Sequence, residues 1–585
     1  MEKRILPWCL RLIAAASTLL PAPSVAELWI GRIQVASQDE IASIADLGFE
    51  IYHDELPGCA DLIFDEAGYL RLISMGYDPQ MLTSLNSLDL DRIDPEYHTY
   101  DELTADLLLL ESQYPTLCRV DSIGRATQFP RTIWAVKLSD NVADEEDEPA
   151  LFYFGTHHAS EVMGCETLLY MIQHFLENYG IDPNITQWMN NYEIWFVPLV
   201  NPDGHYAVTE NINLFWRKNA RDINNNNIYY EFMGGTWWTD DHEGVDLNRN
   251  YNWYWSNDGS SNIWNYSYRG AAPFSESENQ ALRSLAAAQR FIAGISFHSY
   301  GDVVIAPWTW PGGLYAPDQD VINSIGNALA ARFLKDNGTP FSYDIYPGQG
   351  GRCPNWFYGF AGAIAYDIEL CPYPVFIPPG SQLAERAARY MNGSVYLLER
   401  MSGPGITGHI RDAVTNQPLA ARVEIQGRIS SQVKARFAEP QYGCFTRLLN
   451  NGTYTVLAGM PGYQTQRIQN VVVNNSMTQL EIQLQPSSAV DMFLADRNAP
   501  PKASLQATQI GAGEIRFYLE LDAPQRISLK LYNLLGREVA VIVDGCRDAG
   551  THEIYFSLNA LPSGVYFAQM KASKSSDAVK IVVLK

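Results

Sequence analysis

Ala150-Leu151-Phe152-Tyr153-Phe154-Gly155 is a nearly unbroken apolar run, and Thr156-His157-His158-Ala159-Ser160-Glu161 follows it directly. An apolar run of this length reads as a strand buried on both faces, as in a parallel sheet covered by helices. Outward from it, Thr132 to Leu138, Tyr192 to Leu199 and Phe291 to Phe297 read as further strands. Tyr100 to Tyr114, Glu166 to Tyr179 and Ser275 to Arg290 carry helical spacing. The alternation predicts an α/β domain over residues 97–401, with a mixed, largely parallel central sheet and flanking helices. Chemistry in such sheets gathers at strand ends, where the His-rich stretch falls.

Smaller units flank this domain. Residues 27–95 interleave short strands with two helices and read as a compact α+β unit, followed by an Asp-rich linker near Leu88 to Tyr97. After Gly403-Pro404-Gly405 no helix pattern remains, so residues 404–487 read as a β-sandwich. The polar stretch Asn498-Ala499-Pro500-Pro501 leads into a second sandwich at 500–585. At the other end, Met1 to Ala26 has basic Lys3 and Arg4, an apolar run from Leu12 to Leu20 and small residues before Glu27. That is the pattern of a secretory signal peptide. The later sequence holds no apolar run long enough to predict a membrane span.

Composition narrows the function classes. The 585 residues are 46% hydrophobic and only 18% charged, which argues for a folded chain. The net charge of −25 works against binding nucleic acid, whose phosphates call for a basic surface. Eight cysteines are present, and Cys9 would leave with the signal. The remaining seven form no CxxC pattern, and Cys353 with Cys371 is a candidate local pair.

The chemistry-bearing residues are scattered. His158 and Glu161, three apart, fall on one face of a helical turn, and His157 and Glu161, four apart, do so equally. His298 ends a buried strand. Two imidazoles and a carboxylate form a catalytic zinc set with an open position, whereas structural sites tend to fill with Cys and His. Phe215-Trp216-Arg217-Lys218-Asn219 and Gly244-Val245-Asp246-Leu247-Asn248-Arg249-Asn250 are basic motifs between these ligands. Ala365-Tyr366-Asp367-Ile368-Glu369-Leu370 places Glu369 late in an apolar strand, a costly position for an acid without a task or a partner. Asp222-Ile223-Asn224-Asn225-Asn226-Asn227 alternates oxygen ligands as a calcium loop does. It lacks the loop glycine and the twelfth-position Glu, so a polar loop is the expectation.

In this order the motifs resemble the zinc carboxypeptidases of the pancreatic carboxypeptidase A type. The resemblance covers residues 97–401 and includes Tyr97-His98-Thr99-Tyr100, Asn201-Pro202-Asp203-Gly204 and Tyr268-Arg269-Gly270. It implies one zinc held by His158, Glu161 and His298, with Asp246 orienting the first histidine. It implies Glu369 as general base and Arg217 as oxyanion stabiliser. Asn248 and Arg249 would hold the substrate's terminal carboxylate, and Tyr346 would cap the substrate. Departures from the family are Ser160, where a basic residue is frequent, and a one-residue length difference after Tyr346-Pro347-Gly348-Gln349-Gly350-Gly351. That difference leaves the specificity position open among Arg352, Cys353 and Pro354. None is acidic, which speaks against basic substrates. Arg352 would either pair with an acidic substrate side chain or sit on the surface.

The flanking units carry resemblances of their own. Residues 27–95 look like an activation propeptide, with a plain accessory domain as the alternative. Gly405-Ile406-Thr407-Gly408-His409-Ile410-Arg411-Asp412 resembles the transthyretin-like domain that follows some carboxypeptidases. Leu531-Tyr532-Asn533-Leu534-Leu535-Gly536-Arg537 and Leu561-Pro562-Ser563-Gly564-Val565-Tyr566 resemble the C-terminal sorting domain of type IX secretion. Together they imply a peptide hydrolase exported through the periplasm of a Gram-negative-type bacterium by the type IX machinery, to the medium or cell surface. A murein-peptide amidase on the same fold and an inactive peptide-binding surface protein are the alternatives.

Overall fold

The computed structural model describes residues 28–583 apart from 37, 54–57, 85–91, 231–242, 311–313, 348–349, 431, 488–502, 511–513, 522–524, 534–536, 548–549, 560 and 572–575. The segment read as a signal peptide, much of the Asp-rich linker, the Asn498–Pro501 stretch and Leu534 to Gly536 lie outside the described residues.

A nine-stranded mixed sheet forms the centre. Its four middle strands are parallel, in the order Ile364–Leu370, Ala293–Ser299, Ala150–Gly155 and Glu193–Val197. Antiparallel strands extend both sides, among them Thr132–Leu138 and Val303–Trp310. All six residues of Ala150–Gly155 are buried, as their apolar character requires. Helices Tyr100–Gln113, Met163–Asn178, Ser277–Gln289, Gln319–Arg332 and Leu383–Ser394 pack around the sheet. The first starts at a capping box in which Thr99 and Glu102 satisfy each other's backbone N–H groups. The second begins at Met163, three residues before the expected Glu166, because its apolar face starts there.

The N-terminal unit is a four-stranded antiparallel sheet with two helices. It docks on the rim of the central domain. Arg32 grips Asp61 through two bonds of 2.7 and 2.8 Å, and the Tyr300 hydroxyl donates to Asp61 at 2.8 Å. Arg32 also lies over the Tyr373 ring. Tyr266 of the central domain is buried within the apolar core of the N-terminal unit.

Residues 405–487 form two three-stranded sheets. The strands Cys444–Leu448 and Gln466–Val473, not read from sequence, complete them. Their core is continuous with that of the central domain: Ile406, Ile410, Val423 and Phe445 join the cluster that contains Phe152 and Phe357. Ion pairs from Arg428 and Arg447 to Asp318 close the seam. A groove of about 910 Å³ runs along it, lined by Arg290, His409 and Arg436 among others, and away from His158 and His298. The last unit, from Ala503 to Val583, has a three-stranded and a four-stranded sheet around a core of its own.

Cys353 and Cys371 are not bonded to each other, and both are buried free thiols. In the Asp222 loop, both Asp222 oxygens accept backbone N–H groups, from Asn226 and Asn227. That is a self-satisfied polar turn.

Candidate active site

The strand Ala150–Gly155 stops where a Cβ on Gly155 would stand 2.6 Å from the Pro198 carbonyl oxygen. Glycine lets the strand end press against that backbone, and the chain then turns through residues 156–162 before entering the helix Met163–Asn178. His158 and Glu161 sit on this turn. The parallel neighbour Ala293–Ser299 delivers His298 at the same end of the sheet.

The three side chains converge. His158 Nδ1 lies 2.8 Å from Glu161 Oε1, His298 Nδ1 lies 2.9 Å from Glu161 Oε2, and the two Nδ1 atoms are 3.2 Å apart. All three residues are fully buried. A tetrahedral zinc with bonds of about 2.0–2.2 Å sets its donors roughly 3.3–3.6 Å apart, so a small outward movement would admit the ion. The donor chemistry, two imidazoles and one carboxylate with no thiolate, also fits zinc at an open site.

The surrounding charges favour a cation. Burial opposes charging of His158, yet the Glu161 and Asp246 carboxylates outweigh it and raise its pKa to about 9. Burial likewise opposes charging of Glu161, but the two histidines hold its carboxyl at about 2. Asp246 is held well below the usual range against its burial, chiefly by Arg217, Arg249 and His158.

Asp246 is the hub. Its Oδ1 lies 3.2 Å from His158 Nε2 and accepts the Asn248 backbone N–H at 2.9 Å. Its Oδ2 accepts Arg217 Nε at 3.0 Å. Arg217 Nη1 reaches to within 3.9 Å of Glu161. One carboxylate thus orients the histidine, the arginine and the short 3-10 turn Leu247–Arg249. His157 turns away from the cluster: its Nε2 is 2.8 Å from the Tyr251 hydroxyl and its Nδ1 is 3.1 Å from Ser296 Oγ.

Asn248 and Arg249 are fully buried beside the cluster. The Asn248 Oδ1 accepts the Cys353 N–H at 2.8 Å. Gly351, at φ +71°, presses its backbone onto Arg249, where a Cβ would stand 2.6 Å from the Arg249 carbonyl oxygen. Arg352 is not on the surface. It is fully buried, and its Nε donates to Asp258 Oδ2 at 2.7 Å, while Asp258 Oδ1 lies 3.5 Å from Arg249 Nε. The backbone of Tyr346 belongs to the strand Ser342–Pro347, and its side chain lies outside the described residues. Glu369 is fully buried near the end of Ile364–Leu370, paired in register with His298. Reading the sequence missed Asp258 and Asp367. Asp367 was detectable, because residues two apart on a strand share a face and Glu369 had already marked that face.

The zinc carboxypeptidase profile matches residues 103–393. Carboxypeptidase B of Astacus astacus is 31% identical over 283 residues, covering 47% of this chain and 86% of that protein. The chain belongs to the zinc carboxypeptidase family. Zinc carboxypeptidase A 1 of Anopheles gambiae is 29% identical over 323 residues, covering 53% of this chain and 69% of its own length. In solved structures the fold is shared with carboxypeptidase A of Helicoverpa armigera, at a TM-score of 0.53 and 19% identity, over 64% of this chain and 97% of that one. Residues 514–584 match a secretion-system C-terminal sorting domain. This zinc carboxypeptidase is therefore a metallocarboxypeptidase with an export signal at its C-terminal end. No helix among the described residues is long and apolar enough to cross a membrane.

Proposed function

We propose that the enzyme removes single amino acids from the free C-termini of peptides and proteins, with one zinc held by His158, Glu161 and His298. The observation that carries this reading is the buried convergence of those three donors beside an arginine, Arg217, that shares Asp246 with His158. When bound, zinc supplies Lewis acidity for peptide hydrolysis. Glu369 takes the proton of the attacking water and delivers it to the leaving nitrogen. Arg217 faces the oxygen that gains charge as the carbonyl becomes tetrahedral. Arg249 presents a planar fork to the terminal carboxylate, with Asn248 beside it, so that only a chain end fits. The capping role over the bound residue falls to Tyr346 by the family resemblance alone. Because Asp258 already neutralises Arg352, pairing of Arg352 with an acidic substrate side chain loses its support.

The N-terminal unit acts in this reading as an activation segment, docked through Asp61 and Tyr300 beside the zinc ligand His298. Residues 404–487 serve as a transthyretin-like accessory domain, and the tail hands the chain to type IX export. The deciding experiment is mass spectrometry of free-acid and amidated peptides incubated with the purified chain. Stepwise shortening from free C-termini supports the reading. Internal cleavage, or release from murein peptides alone, points to the amidase alternative, and no cleavage at all points to a binding protein.

A further inference from the structure

We infer that Asp367 is a positioning residue that joins the proposed carboxylate clamp to the proposed zinc ligand His298, an inference that rests on the function proposed above. Asp367 pairs in register with Ser296, two residues before Glu369 on one strand and opposite the residue two before His298 on the next. Alternation along both strands puts Asp367, Glu369, Ser296 and His298 on one face. Asp367 is fully buried there. Its Oδ2 accepts the Asn248 side-chain N–H at 3.2 Å, and its Oδ1 lies 3.5 Å from His298 Nε2.

The hydrogen-bond roles follow from these contacts. Asn248 Oδ1 is engaged by the Cys353 N–H, which fixes the amide orientation and makes Nδ2 the donor edge. One Nδ2 hydrogen goes to Asp367, and Nδ2 also lies 3.3 Å from His298 Nε2, so the amide touches both members of the proposed link. On the other side, a histidine that ligates through Nδ1 carries its proton on Nε2 and looks for an acceptor. Ser296 Oγ, at 3.2 Å, and Asp367 Oδ1, at 3.5 Å, are the oxygens that face His298 Nε2, and Asp367 is the carboxyl group of the two. Asp246 serves His158 in the same way, through the same ring nitrogen. Each histidine of the cluster therefore has its own carboxylate behind it, and each of those carboxylates also holds Asn248, one through the backbone N–H and one through the side chain.

The test is Asp367→Asn in the full chain, with two readouts. Zinc affinity, measured by chelator competition, is expected to fall about 10- to 100-fold, the usual effect of losing a partner behind a ligand. KM for a free-acid peptide is expected to rise about tenfold, with KM for the amidated peptide unchanged. If Asp367→Asn fails to fold by circular dichroism, Asp367→Thr, a β-branched residue suited to a strand, replaces it in both measurements. A folded variant with zinc affinity and KM within about twofold of the wild type overturns the inference. So does a variant whose only change is a lower Tm. If the wild type releases no amino acid, the proposed function fails instead, and the zinc measurement still decides the contact between Asp367 and His298.

Discussion

Glu369 stands directly opposite His298 in the parallel pairing of Ile364–Leu370 with Ala293–Ser299. Partners in such a pairing project to the same face from strands about 4.8 Å apart. Glu369 is thus held beside the proposed zinc ligands without belonging to their donor triangle.

That separation predicts the behaviour of Glu369→Gln. Turnover should fall by at least about 100-fold while zinc content, measured by atomic absorption, stays at one per chain. Near-normal turnover would show that the base lies elsewhere, and loss of zinc would show that Glu369 is a ligand.

Cleavage should depend on a free terminal carboxylate. A charge-assisted contact to Arg249 is worth roughly 1.5–3 kcal/mol per hydrogen bond, so amidation should lower kcat/KM at least about tenfold. Arg249→Ala should cost a similar factor on free acids and little more on amides, because both changes remove one shared interaction. Equal rates on acids and amides would end the exopeptidase reading.

Zinc binding should be sensitive to pH. Glu161 and Asp246 raise His158 to about 9 in the absence of metal, so below that pH zinc displaces a proton from it. Apparent affinity should weaken about tenfold per unit as pH falls from 8 to 6. Asp246→Asn, which removes one of the charges raising that pKa, should make the dependence shallower. Affinity that stays flat over this range in the wild type would contradict the charge balance described.

Glu278 should make stability fall as pH rises. Burial, helped by the Glu276 charge, raises its folded pKa to about 7 from an ordinary value of 4.5. The folded chain then holds a proton that the unfolded chain has lost, so stability declines between about pH 4.5 and 7. Glu278→Gln should remove that decline and be more stable than the wild type at pH 8, by on the order of 1–3 kcal/mol. Parallel Tm–pH curves for the two proteins would refute this.

If the N-terminal unit restrains the enzyme, proteolytic cleavage between residues 85 and 96 should raise hydrolysis of small peptides by about tenfold or more. Tyr300→Phe, which removes the hydroxyl given to Asp61, should produce part of that gain without cleavage. Unchanged rates after complete cleavage would leave the unit an accessory domain.

The strand Ala150–Gly155 could be read from sequence because six buried apolar residues leave few other structures open to it. His298 ends a buried strand and His158 and Glu161 follow another closely, but local spacing left His157 and His158 equal, and only the family resemblance chose between them. Asp258 could not be read. It meets Arg352 across 94 residues, and nothing in an isolated Asp-Gly announces that partner. The burial of Arg352 followed from the same pairing. The helices Gln319–Arg332 and Leu383–Ser394 also went unread, although the buried Val321, Ile322, Ile325 and Leu329 of the first recur at helical spacing.

The apolar cores divide the chain unequally. Residues 405–487 share theirs with the catalytic sheet, whereas the described residues from Leu505 to Val583 close around a separate core. Removing the C-terminal delivery label would therefore leave the apolar core of the cargo intact. Severing the middle sandwich would strip a wall from the enzyme itself.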